Sequence, residues 1–188
     1  MRSLRLLPLT LLLSGCIVEA PSGGAESAAP GPVAAASAGR RAPMQAIVRK
    51  LGANLGNQVE IAAVTVTPGA LVPGEATRVS ITFNVLEDLK ADYTVFVHVE
   101  DVDGKLERMN LDHQPNNGKT PSSEWKKGQT INDDFYLMLP PGVALRGLAL
   151  WAGLWEPKSD TRLKLMNPEA VRNDGNDRLL LVQVPVAQ

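Results

Sequence analysis

Only one cysteine, Cys16, occurs in the 188 residues, so the chain can close no internal disulfide and build no thiolate cage for zinc or an iron–sulfur cluster. Histidine is nearly as scarce. His98 and His113 stand alone, and any imidazole metal site or acid–base pair has to use them. Aromatics are limited to three Trp, two Tyr and three Phe, all between Phe83 and Trp155, so the segment ahead of Phe83 has little with which to anchor a core. An excess of positive charge is missing too. Lys and Arg number 19 against 20 Asp and Glu, a formal net charge of −1 that excludes a globally basic nucleic-acid binder. No apolar run approaches the length of about 20 residues that a spanning helix needs. Nor does the chain contain a G-x-S-x-G elbow, an H-E-x-x-H pair, a glycine-rich phosphate loop or a Cys–His pair. The expectation is therefore a binding protein with no catalytic residues and no cofactor.

What is present begins with an address. Residues 1 to 15 carry Arg2 and Arg5, an apolar stretch from Leu6 to Leu13 and then small residues, the layout of a secretory signal peptide. Leu13-Ser14-Gly15-Cys16 resembles the lipobox of bacterial lipoproteins. That resemblance implies lipidation of Cys16: a diacylglyceryl thioether, cleavage before the cysteine and fatty acylation, palmitate for example, of the new amine. Several acyl chains hold a protein at a membrane where a single one would not. Ile17, where an Asp would retain the chain, resembles an outer-membrane sorting signal, so the expected location is the cell envelope, lipid-anchored at the outer membrane. Residues 16 to 43 are mostly Ala, Pro, Ser and Gly, a composition that cannot bury enough apolar surface to offset ordering entropy. A flexible tether is expected there, with a mean reach of about 25 to 30 Å. Met44, Ile47, Val48, Leu51 and Leu55 then recur at helical spacing, which predicts a short amphipathic helix over residues 44 to 56, weakened by Gly52 and Gly56.

From residue 57 to 188 the pattern changes to strands. Ala76 to Val85 alternates cleanly, with Val79, Ile81, Phe83 and Val85 on one face and Arg78, Ser80, Thr82 and Asn84 on the other. Strands are expected also around Val59 to Val66, Tyr93 to Glu100, Lys105 to Leu111, Thr130 to Leu139, Leu145 to Glu156, Arg162 to Leu165 and Leu179 to Val186. Turn signals separate them: Pro68-Gly69, Pro73-Gly74, Asp103-Gly104 and Pro140-Pro141-Gly142. Crossover helices are absent, so an all-β antiparallel sandwich of Ig-like or jelly-roll-like kind is the expected fold.

The order of Tyr93, Phe96, His98, Gly104, Asp112, Pro115, Pro121, Ser123, Trp125, Gly128, Asp133, Gly153 and Leu154 resembles an accessory or C-terminal β-sandwich module of membrane glycosyltransferase-like envelope proteins. The chain departs from that pattern at Trp155 and Glu156, and it has no transmembrane catalytic part to accompany the module. The resemblance implies the fold and carries no activity.

Candidate sites follow from residue type. Trp151, Gly153 and Trp155 share a strand face opposite Leu148, Leu150, Ala152 and Leu154, with the two indoles about 13 Å apart and Gly153 leaving a gap between them. Two readings are open. The indoles form a platform for a protein partner or a sugar, or neighbouring loops that include Trp125 cover them. Asn173, Asp174 and Asp177, and Asp101 and Asp103, resemble calcium-loop fragments but are also ordinary turn formers. His98 and His113 are expected about 17 Å apart on a hairpin, too far to share a metal. The leading expectation is a lipid-anchored envelope protein that binds or positions a protein partner, and the alternative is a carbohydrate binder that uses the tryptophan face.

Overall fold

The computed structural model describes residues 45–187. The expected signal peptide, Cys16 and the whole expected tether lie outside them. Nine strands occur among the described residues: β1 Ile47–Leu55, β2 Val59–Thr67, β3 Ala76–Val85, β4 Thr94–Asp101, β5 Met109–Asn110, β6 Thr130–Met138, β7 Gly147–Glu156, β8 Thr161–Arg162 and β9 Leu179–Pro185. One sheet runs β1-β2-β3-β6. The other runs β5-β4-β7-β8, with β9 also paired to β7, and every strand pair is antiparallel. The alternating strands put their β-branched and leucine faces between the sheets. Val79, Ile81, Phe83 and Val85 from β3 meet Leu148, Leu150, Ala152 and Leu154 from β7 in one core. The expected antiparallel β-sandwich is the fold.

The expected helix over residues 44 to 56 is not formed; Ile47–Leu55 is the edge strand β1. Its apolar residues at Ile47, Leu51, Ala53 and Leu55 turn toward the core, while Val48, which the helical stripe required, is 66% exposed. Spacings of four and eight fit both periods. Gly52, at φ +68°, sits in a register shift between Lys50 and Ala53, the extra residue of a β-bulge. The sandwich therefore includes residues ahead of 57. Arg49 donates to the Leu181 carbonyl at 3.1 Å, so the edge strand of one sheet is held to the last strand of the other by an inward-pointing charge. A second shift between Ile61 and Ala63 in β2 explains why Val59 and Ile61 point inward together with Val64 and Val66. The expected return strand Lys105 to Leu111 shrinks to two residues at β5, because the Asp101–Gly104 turn extends: Asp101 accepts the N–H groups of Asp103 and Lys105.

The segment between β5 and β6 closes one end of the sandwich. Tyr93 N–H donates to Ser122 Oγ at 2.6 Å, and Trp125 packs 5.3 Å from Phe83 with its indole N–H on the Thr120 carbonyl.

Candidate functional site

The outer face of β4 and β7 carries the aromatic residues that the alternation assigned there. In register, Thr94 stands beside Trp155, Phe96 beside Gly153 and His98 beside Trp151. The gap at Gly153 is filled by the chain itself. A Cβ at that position would lie 2.8 Å from the Asp177 carbonyl oxygen and closer still to the Phe96 ring, so only glycine leaves the ring its place.

The tryptophans divide. Trp125 is 1% exposed in the core and covers nothing on the outer face, which removes it from the candidate binding face and also from the covering role. Trp151 is 9% exposed, packed with Ala149 and Leu180 on the outer side of the sheet. The guanidinium groups of Arg178 and Arg172 lie 4.9 and 5.8 Å from its ring centre. Cation–π contact thus replaces the open platform on this residue. Arg178 is fixed there by Glu100 at 2.6 Å and Asp174 at 2.8 Å. Trp155 alone stays half-buried, its indole N–H donated to Asp160 Oδ1 at 3.0 Å.

Around Trp155 the surface is concave. A cleft of about 540 Å³ is walled by Phe96, His98, Asp112, Trp155, Asp160 and Arg162, and closed by the turn at Gly175, Asn176 and Asp177. Each of its carboxylates gives one oxygen to the fold: Asp112 to the Val97 N–H at 2.9 Å, Asp160 to Trp155 and Asp177 to the Leu165 N–H at 2.8 Å. Arg162 donates to the Asn176 carbonyl at 2.8 Å and lies 4.6 Å from the centre of the Phe96 ring. Burial, then the positive charge of Arg108, pushes the His98 pKa down, with Asp112 opposing, and Arg178 approaches His98 Nδ1 at 3.4 Å. That shift favours the neutral imidazole, with Nδ1 facing a permanent donor. A polar ligand here meets fixed acceptors, one guanidinium and an indole face.

The calcium-like fragments are turns. Asn173 Oδ1 accepts the Gly175 N–H, and Asp174 accepts the Asn176 N–H and the Arg178 guanidinium. Burial opposes ionisation of Asp174, yet those donors hold its pKa below the usual value. Asp177, at φ +58°, turns the chain. The turn reading accounts for these residues: Asn173 and Asp174 accept N–H groups of their own turn, and Asp177 Oδ1 accepts the Leu165 N–H.

His98 and His113 lie closer along the hairpin than expected, because His98 pairs with Asn110 and Val95 with His113. They nevertheless belong to different environments. His98 is on the outer face, whereas His113 bonds the fully buried Asp133 at 2.8 Å and its ring centre is 5.0 Å from that of Phe135. Of the positions that carry the resemblance, Phe96, His98 and Asp112 line the cleft and Gly153 packs against Phe96 behind it, while Tyr93, Trp125 and Asp133 are buried in or beside the core. Sequence reasoning missed Asp112, Asp160 and Arg162 as cleft residues. The one sequence signal for Asp160 and Arg162 is the Trp155–Arg162 spacing across a short turn, while Asp112 stands among the positions that carry the resemblance.

No protein-family model matches the chain, and no curated protein matches it in sequence. Among solved structures it is similar to the C-terminal domain of wzt, at 14% identity over 77% of this chain and 79% of that one, with a TM-score of 0.46. It is also similar to a Niemann-Pick type C2 protein from Japanese carpenter ant, at 12% identity over 74% of this chain and 97% of that one, with a TM-score of 0.39. Likenesses at this level carry no argument about the ligand.

Proposed function

We propose that this chain is a non-catalytic, lipid-anchored binding module of the bacterial envelope that holds a saccharide in the cleft at Trp155. The observation that carries this reading is the half-buried Trp155 indole, fixed by Asp160, forming one wall of a polar cleft of about 540 Å³. A pyranose has an apolar C–H face and a rim of hydroxyls. The face suits an indole, and the hydroxyls suit carboxylate, amide and guanidinium partners that are already positioned. A protein partner calls for a dry apolar centre instead. Arg172 and Arg178 deny that centre at Trp151. The non-catalytic reading is supported by Asp112, Asp160 and Asp177, each anchored as an acceptor of the fold's own N–H groups.

A glycan array of bacterial envelope saccharides, followed by calorimetry on the hits, tests the reading. Trp155→Ala is expected to weaken capture by about tenfold or more, equivalent to about 1.4 kcal/mol, at nearly unchanged melting temperature. Undiminished capture by the variant, or no saccharide captured by the parent, would overturn it.

The anchor rests on Leu13-Ser14-Gly15-Cys16 and is tested apart from the ligand. Cys16→Ala is expected to move the protein from washed membranes to the soluble fraction, since one thioether is the attachment point. A variant that stays with the membranes would count against lipidation.

A further inference from the structure

We infer that the saccharide site continues past Asp112 into a second cleft at Tyr136, so that its ligand is a chain of several sugar rings. The inference rests on the saccharide reading of the Trp155 cleft and extends it. Asp112 stands in the wall of both spaces. On its far side a second cleft of about 380 Å³ is lined by Asn110, His113, Asn117, Phe135 and Tyr136. An aromatic ring beside polar groups recurs there, with amides in place of the first cleft's guanidinium. Tyr136 is an aromatic ring 66% exposed on the edge strand β6, and Asn110 and Asn117 are exposed amides beside it. An exposed tyrosine on a sheet edge is unremarkable alone, but here it borders a concavity that shares a carboxylate with another aromatic cleft.

The join is built rather than loose. Asp112 Oδ1 accepts the Val97 N–H at 2.9 Å, and the neighbouring His113 is pinned by Asp133 at 2.8 Å and by the Leu111 carbonyl at 2.7 Å. Asn116 N–H also donates to Asp133, so the loop that carries Asn117 is fixed to β6. The path from Trp155 crosses β4 and β5 and then passes from one sheet to the other. At about 4.8 Å per strand and about 10 Å between sheets it is about 20 Å long, several times the width of one sugar ring. A monosaccharide can occupy one end only.

The test is a length series of one to eight sugar units, cut from bacterial lipopolysaccharide and peptidoglycan glycan, titrated into the full chain and two variants. Affinity is expected to rise with length beyond two units and then level off. Tyr136→Ala is expected to lower affinity for the long fragments by about threefold to tenfold, leaving mono- and disaccharides and the melting temperature unchanged. Trp155→Ala is expected to weaken fragments of every length. Length-independent affinity, or long fragments indifferent to Tyr136→Ala while Trp155→Ala still weakens them, would overturn the second cleft and leave the first standing. Failure of every fragment to bind the parent would overturn the saccharide reading itself.

Discussion

Phe83→Ala is expected to lower stability by about 3 to 5 kcal/mol, the range for truncating an aromatic in a packed core. Phe83 is 0% exposed. In register it stands between Ile61 of β2 and Ile131 of β6, so its ring lies on the first sheet's inner face between two neighbouring strands. Its other neighbour is Trp125, 5.3 Å away at 45°. The indole N–H of Trp125 is held by the Thr120 carbonyl at 3.1 Å, which keeps this large side chain from collapsing into the space that the phenyl leaves. A site that cannot relax falls toward the upper part of the range. Thermal melting of the purified variant, about 10 °C or more below the parent, is the expected reading. A variant that melts within about 2 °C of the parent would show that the inward register of β3 is wrong.

Asp133→Ala is expected to cost a similar amount, about 3 to 5 kcal/mol, because it removes a buried carboxylate that accepts two hydrogen bonds and leaves both donors unpaired. Asp133 is 0% exposed; Oδ2 meets His113 Nε2 at 2.8 Å and Oδ1 accepts the Asn116 N–H at 2.8 Å. Both donors belong to the loop between β5 and β6, so their loss detaches that loop from β6.

The pair also carries a pH dependence. Burial works against the charged imidazole, but the Asp133 hydrogen bond and the Leu111 carbonyl outweigh it and raise the His113 pKa above the ordinary value. A raised folded pKa stabilises the protein fully below the unfolded value, about 6.5, and that contribution is lost as pH rises through the folded value. His98 acts in the opposite direction, since its lowered pKa contributes stability that is lost as pH falls. Comparison with His113→Gln isolates the first effect. The melting-temperature difference between parent and variant is expected to shrink from pH 5.5 to pH 8.5. A difference that holds steady or grows would show that the imidazolium is not the favoured form.

The strands that read clearly in the sequence are those whose alternation is unbroken. Ala76–Val85 coincides with β3, and the two faces of Gly147–Glu156 divide as expected, leucines inward and tryptophans outward. β1 was misread because its apolar spacing satisfies a helical period as well as an alternating one. What settles the question is pairing with β2 and a bulge at Gly52. Neither is visible within the segment. The same limit applies to the cleft. Trp155 was legible as an outward aromatic, but Asp112, Asp160 and Arg162 reach it from β5's far side, a turn and β8, and each alone is an ordinary surface residue.

Local pattern determined the fold class and the faces of the central strands, because a period of two is a property of neighbours in the chain. Which indole stays open was decided only by the assembled sheet. Trp151 is covered by Arg172 and Arg178, which are brought over it when β9 pairs with β7, and the gap at Gly153 is filled by Phe96 from β4. Those contacts join residues tens of positions apart. They exist only once the strands between them have found their register.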